Sequence, residues 1–363
     1  MTRVEWPDPR SYGGATDDPL VALAAAERGA RSGLTARLRE LARAGDDKAI
    51  AAAFAAAPSQ KVRLDLLEAL KAAIDDPGPE EGDALLARVF ALPLVFVVGG
   101  VPGAVLPGRV PDADVISGLL RANGALGQTE NFGLSPALVT AEALDGVAPS
   151  VLFRWARSIG DANVEGRGLP GSEIRVEGVD EQAHLRFLLG AGVAPAQAPS
   201  VVESASRIGA WGMPVTRALA HQLGQEGLSL LPLPRPPKSL LTAKPAGRFA
   251  FEETRLNLFL SRVLRQLRAS VGEPVAVLSV HAGGEIRLGL SSVFDASVLH
   301  GFHWRLGVFD DLDEVAATIL SLLRDCRILD VRIVPGLQPA GDGERAARVL
   351  SIHDLGPSGE VRH

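Results

Sequence analysis

Hydrophobic and polar positions alternate most regularly between Pro274 and Leu290, PVAVLSVHAGGEIRLGL. Ala276, Leu278 and Val280 take one side of this stretch and Val277, Ser279 and His281 the other. After the glycines, Ile286, Leu288 and Leu290 alternate with Glu285, Arg287 and Gly289. A period of two marks half-buried strands. A two-residue Gly283-Gly284 loop would set Val280 against Arg287 and mix the faces. A three-residue Ala282-Gly283-Gly284 loop sets Val280 against Ile286 and Leu278 against Leu288, and it offers glycine for the left-handed position. The spacing therefore predicts a hairpin with one wholly apolar face; the other carries His281 opposite Glu285 and Ser279 opposite Arg287.

The pattern continues downstream. Phe302, Trp304, Leu306 and Val308 share one side and leave His303 and Arg305 on the other, and Leu329, Val331 and Ile333 alternate with Asp330 and Arg332. Ahead of the hairpin, Leu256, Phe259, Leu260, Val263, Leu264 and Leu267 recur at helical spacing, with acidic Glu252 and Glu253 at the start and basic Arg265 and Arg268 at the end. Val315, Ile319, Leu322, Leu323 and Cys326 mark a second helix, and Asp311 with Glu314 resembles a capping box. The order α-β-β-β-α-β predicts a mainly antiparallel sheet with helices on one face.

Upstream the spacing is helical. Helices are predicted at Leu34–Ala44, Lys48–Ala57, Lys61–Ile74 and Glu80–Phe90, with breaks at Gly45-Asp46, Pro58-Ser59 and Pro77-Gly78-Pro79. Further helices are predicted at Asp112–Asn123, Ser135–Leu144, Pro149–Ile159, Glu181–Leu189, Ser200–Ile208 and Pro214–Gln225. Pro232, Pro234, Pro236 and Pro237 form a stiff connector. The expected fold class is α+β: a helical region at 1–91, a mixed and mostly helical region at 92–231 packed with it, a Pro-rich connector at 232–246, an α-β-β-β-α-β domain at 247–340, and a tail at 341–363.

Composition narrows the function classes. Of 363 residues, 47% are hydrophobic, which is ample for buried cores. A net charge of −6 argues against broad phosphate-backbone binding, so nucleic acid is not an expected partner. The single Cys326 excludes an intramolecular disulfide and a cysteine-rich zinc site, and it reads as a small core residue. No apolar leader opens the chain, so a cytoplasmic location is expected. From Val89 to Gly108 no charge occurs, but Pro93, Pro102 and Pro107 with Gly99, Gly100 and Gly103 punctuate the run; it predicts a buried strand and turns, not an integral membrane segment.

Local chemical signatures are sparse. Gly99-Gly100-Val101-Pro102-Gly103 follows an apolar run as a phosphate loop would, yet its spacing fits no phosphate motif and Pro102 removes a donor. His300 and His303 would share a face on a helix but lie on opposite sides of a strand, so no metal is expected. Asp310, Asp311 and Asp313 stand where a helix needs a cap. Glu142 with Asp145, and Glu130 beside Asn131, are polar groups in an apolar region and receive no catalytic assignment. No cofactor is expected.

These features predict a non-enzymatic, adaptor-like protein-interaction or assembly component whose partners are other proteins or its own copy. The alternative is an enzyme or small-ligand binder with its pocket between the middle region and the C-terminal domain. The expected interaction residues are His281, Glu285, Arg287, His303, Arg305 and Arg332, on a sheet face read either as a solvated surface or as a docking face for an acidic partner.

Overall fold

The computed structural model of the chain describes residues 19–25, 31–75, 85–123, 125, 130–157, 169–195, 208–231, 238–269, 273–281, 285–292, 299–307 and 310–334. They divide into two compact units, one of Thr16–Ala57 with Lys61–Phe251 and the other chiefly of Glu252 onward. The class is α+β, with antiparallel pairing dominant in both larger sheets.

The first unit opens with helices α1 (Pro19–Ala25), α2 (Arg31–Ala44), α3 (Asp47–Ala56) and α4 (Gln60–Asp75), the last three where helical spacing predicts them. Asp46 starts α3 by accepting a hydrogen bond from the Ala49 amide at 3.1 Å. Where the spacing predicts another helix over Glu80–Phe90, the chain instead forms strand β1 (Leu85–Val98). After it come β2 (Ala104–Leu106), α5 (Ala113–Ala122), β3 (Glu130–Thr140), α6 (Ala141–Asp145), α7 (Pro149–Arg157), β4 (Ile174–Val176), β5 (Gln182–Pro195), α8 (Ile208–Leu223), β6 (Leu228–Leu230) and β7 (Lys238–Ser239). The helices predicted at Ser135–Leu144 and Glu181–Leu189 are thus largely strands, and the middle region is built around a sheet. The helix predicted at Ser200–Ile208 lies outside the described residues except for Ile208, which begins α8.

These strands replace the predicted helices for a physical reason. β1 and β5 pair antiparallel in unbroken register from Leu85 opposite Pro195 to Val98 opposite Gln182. Both are covered on both faces, so their apolar residues run continuously and lose the alternation of a half-buried strand. One face holds Val95, Val139, Leu185, Phe187 and Leu189 in a core shared with α1 to α4, α6 and α7. The other holds Phe90, Leu92, Leu94, Phe96, Leu138 and Leu188 against α5 and α8. The N-terminal helices therefore cover a sheet and do not make a bundle of their own. Pro93 is tolerated inside β1 because β7 pairs only with Phe90 and Ala91 and β6 only with Phe96 to Val98, so no ladder needs its missing donor on that side.

Residues 238–246, expected as connector, are β7 and the first turns of α9 (Leu240–Ala269), a 30-residue helix through which the division between units passes. Residues 232–237 and the tail lie outside the described residues. The second unit continues with β8 (Pro274–His281), β9 (Glu285–Ser292), β10 (His300–Arg305), α10 (Leu312–Asp325) and β11 (Asp330–Val334), in sheet order β10-β9-β8-β11. The hairpin register is the expected one, Val280 opposite Ile286 and Leu278 opposite Leu288. β11 joins β8 in parallel after the α10 crossover. The apolar side is sealed by Phe302, whose ring lies 5.4 Å from that of Phe259 on α9.

Gly190 on β5 stands opposite Phe90 on β1, and a Cβ there would come within 2.4 Å of the Phe90 ring and 2.8 Å of Leu134. Gly190→Ala should therefore overpack this face and lower stability by about 1–3 kcal/mol, measured by urea unfolding. An unchanged midpoint would contradict the packing described.

Candidate interaction surface

The expected interaction residues do meet on one sheet face. Cross-strand pairing sets His281 and Arg305 on either side of Glu285, and Ser279 and His303 on either side of Arg287. Arg332 stands on the same side, opposite Val277. The side chain of His281 lies outside the described residues.

The centre of this face is not a solvated surface. Arg287 Nε donates to Glu285 Oε1 at 2.6 Å, Arg287 Nη2 approaches the same oxygen, and His303 Nδ1 lies 3.6 Å from Glu285 Oε2. Side-chain exposure is only 20% for Arg287, 18% for Glu285 and 5% for His303, so the three lie beneath cover, with His303 Nε2 buried and without a hydrogen-bond partner. Burial pushes the Glu285 carboxyl up, but the Arg287 hydrogen bond and the charges of Arg287 and His303 outweigh it and hold the pKa below the ordinary value. Burial pushes His303 down; Glu285 opposes this, Arg287 and Arg305 add to it, and the imidazole stays below its ordinary pKa. At the rim, Arg305 is exposed and Arg332 pairs with Asp330 at 3.3 Å. A partner reaching this face meets its edge, not its centre.

Other marked groups have structural work. His300 stands opposite Leu290, on the face away from His303, and burial with the nearby Arg262 charge lowers its pKa. Asp311 caps α10 by accepting from the Asp313 and Glu314 amides at 2.8 and 3.2 Å, while buried Asp310 accepts from the Gly307 amide at 2.6 Å. Cys326 is the C-cap of α10 and only half-buried, not a core residue. The amides of Gly99, Gly100 and Gly103 donate to the carbonyls of Gly227, Val179 and Val176 at 2.9, 2.9 and 3.0 Å, so the glycine loop offers them to the protein and not to a phosphate. Asp145 pairs with Lys244 at 2.5 Å; the side chains of Glu130 and Asn131 lie outside the described residues. Val89 to Gly108 forms the end of β1, a turn and β2. Among the described residues no helix is long and apolar enough to cross a membrane.

The exposed element is β11. Leu329, just before it, is 81% exposed and Ile333 is 39% exposed; Asp330 and Arg332 also face solvent. The opposite sheet edge differs, because Phe302, His303 and Trp304 of β10 are buried. Sequence pattern could place Val331 and Ile333 on the apolar side but could not reveal that, among the described residues, β11 ends the sheet, since strand order depends on the crossover. Compared with protein-family models, curated proteins and solved structures, the chain matches none.

Acid should loosen the second unit in two steps. The folded His303 pKa lies below the ordinary 6.5, so the unfolded chain takes up the proton first and stability falls as pH drops below that value, with His300 adding in the same sense. The depressed Glu285 pKa contributes stability above the ordinary carboxylate range that is lost as pH falls through it. Thermal melts between pH 7 and pH 3, in round figures for a carboxylate and imidazole series, should show both limbs. His303→Gln should flatten the upper limb and also weaken the lower, because the His303 charge helps to hold Glu285 down; an unaltered upper limb would contradict the assignment.

Proposed function

We propose that the chain is a non-enzymatic interaction or assembly component, and that it assembles with a second copy of itself through the edge of β11. The observation that carries this reading is the exposure of that strand together with its self-complementary pattern. An open strand edge is a template for pairing, and evolution usually blunts such edges. Here the edge presents apolar residues.

An antiparallel pair of β11 strands with a two-fold axis at Val331 would place Val331 against Val331, Leu329 against Ile333 and Asp330 against Arg332. Apolar residues then meet apolar residues on one face, and opposite charges meet on the other. Moving the axis to Arg332 opposes two arginines, and moving it to Asp330 opposes two aspartates. One register therefore satisfies both faces. The cytoplasmic setting expected from the sequence belongs to the same reading, supported by an acidic chain with one cysteine.

A charge swap tests the proposal. Asp330→Arg alone sets arginine against Arg332, and Arg332→Asp alone sets aspartate against Asp330; each should weaken the dimer by about tenfold in Kd, while the double swap restores it. Sedimentation velocity over a concentration series reads the result. A monomer at every concentration, or single and double variants that behave alike, would remove the reading.

A further inference from the structure

The face of the first sheet that packs on α5 and α8 is mainly apolar, with buried Arg88 toward one end and buried Arg186 toward the other. Along β5 the residues on this face are His184, Arg186, Leu188 and Gly190, and their partners on β1 are Phe96, Leu94, Leu92 and Phe90. On β3, Thr140 and Leu138 stand beside Arg186 and Leu188. Arg186 is 4% exposed. A guanidinium in such a layer needs acceptors, because burial strips away the water that served it in the unfolded chain.

Its protein partners fall short of that need. Nη1 donates to the Leu185 carbonyl at 2.9 Å, while Nε and Nη2 are buried with no acceptor. These two nitrogens form one edge of the planar guanidinium, the fork that takes both oxygens of a carboxylate in parallel hydrogen bonds. The exposed Glu142 acts on Arg186 through its charge, raising a pKa that burial lowers, without bonding to it. Nε2 of the neighbouring His184 is likewise buried and unpartnered. Burial and the Arg186 charge hold that imidazole below its ordinary pKa, so it stands neutral beside the cation.

We propose that the Nε–Nη2 edge of Arg186 anchors a binding site for a small monocarboxylate with an apolar body. One cation beside a neutral histidine balances one negative charge, and the Glu142 carboxylate in range disfavours a dianion. Leu94, Phe96, Leu138 and Leu188 supply apolar surroundings for the rest of the molecule. Access is from the end of β3: Thr140 closes that strand beside Arg186, and Thr140 and His184 are half-buried, while β5 continues past Arg186 through His184 to Gln182. The ligand-binding alternative then falls within the first unit, independent of the β11 edge.

The test uses the full chain with sodium hexanoate and sodium benzoate as probes, and sodium phosphate and chloride at matched ionic strength for comparison. Calorimetric titration should give saturable binding of a carboxylate probe, with an upward shift of the melting transition, and no comparable effect of phosphate. Arg186→Met should abolish binding yet melt above the probe-free wild type, because an apolar side chain of similar length suits this layer better than a partly bonded guanidinium. Arg186→Lys keeps the charge without the fork and should bind far more weakly; Glu142→Gln removes the competing carboxylate and should tighten binding several-fold. Absence of saturable binding by either carboxylate, equal binding by Arg186→Met, or preference for phosphate would each overturn the proposal. So would an Arg186→Met protein that fails to fold, since the arginine would then be structural.

Discussion

The unbroken pairing of β1 with β5 is the constraint on which the first unit depends. Fourteen residues of each strand are locked in register, so each side chain is assigned to one face or the other along the whole length. Helices cover both faces, and the sheet becomes an interior. That burial supplies the hydrophobic stabilisation, and it also dictates what polar residues can do there. Arg88 reaches the Asp75 carbonyl and Arg157 donates to the Ile74 carbonyl at 2.7 Å, both tying off the end of α4. Arg186 is left with two buried nitrogens, Nε and Nη2, that find no acceptor in this interior.

The second unit solves the same problem differently. Register alone gathers Glu285 and Arg287 of β9 with His303 of β10 on one face, where the Glu285 carboxylate pairs with Arg287 under cover. Charge there is spent on internal pairing. The edge of β11 stands apart from this pairing, and its alternation matches its own reverse. The two units thus offer different chemistries, a strand edge in one and a buried cation in the other.

Legibility in the sequence followed burial. The hairpin could be read to its register because one face is apolar and the other polar, so any slip would have exposed Leu278 and Leu288. The cap at Asp311 and the helices α2 to α4 were equally plain, because their stripes are amphipathic. β1 and β5 were not, since a strand buried on both faces carries no period, and β3 hides its alternation behind register shifts between Glu130 and Gly133 and between Leu134 and Leu138. The alternation puts Glu285, Arg287, His303, Arg305 and Arg332 on one face, as the register has them, but does not show its cover, because cover depends on neighbouring segments and not on the strands themselves. Arg186 escaped notice for the related reason that a helical reading of Glu181–Leu189 leaves it a surface residue.

The most direct measurement of the central claim is amide hydrogen exchange at β11 as a function of protein concentration. If two copies pair through this edge, the amides of Asp330–Val334 that point away from β8 gain protection as concentration rises, while those of β8 and β9 stay constant. Exchange at β11 that is independent of concentration would contradict self-assembly through this strand.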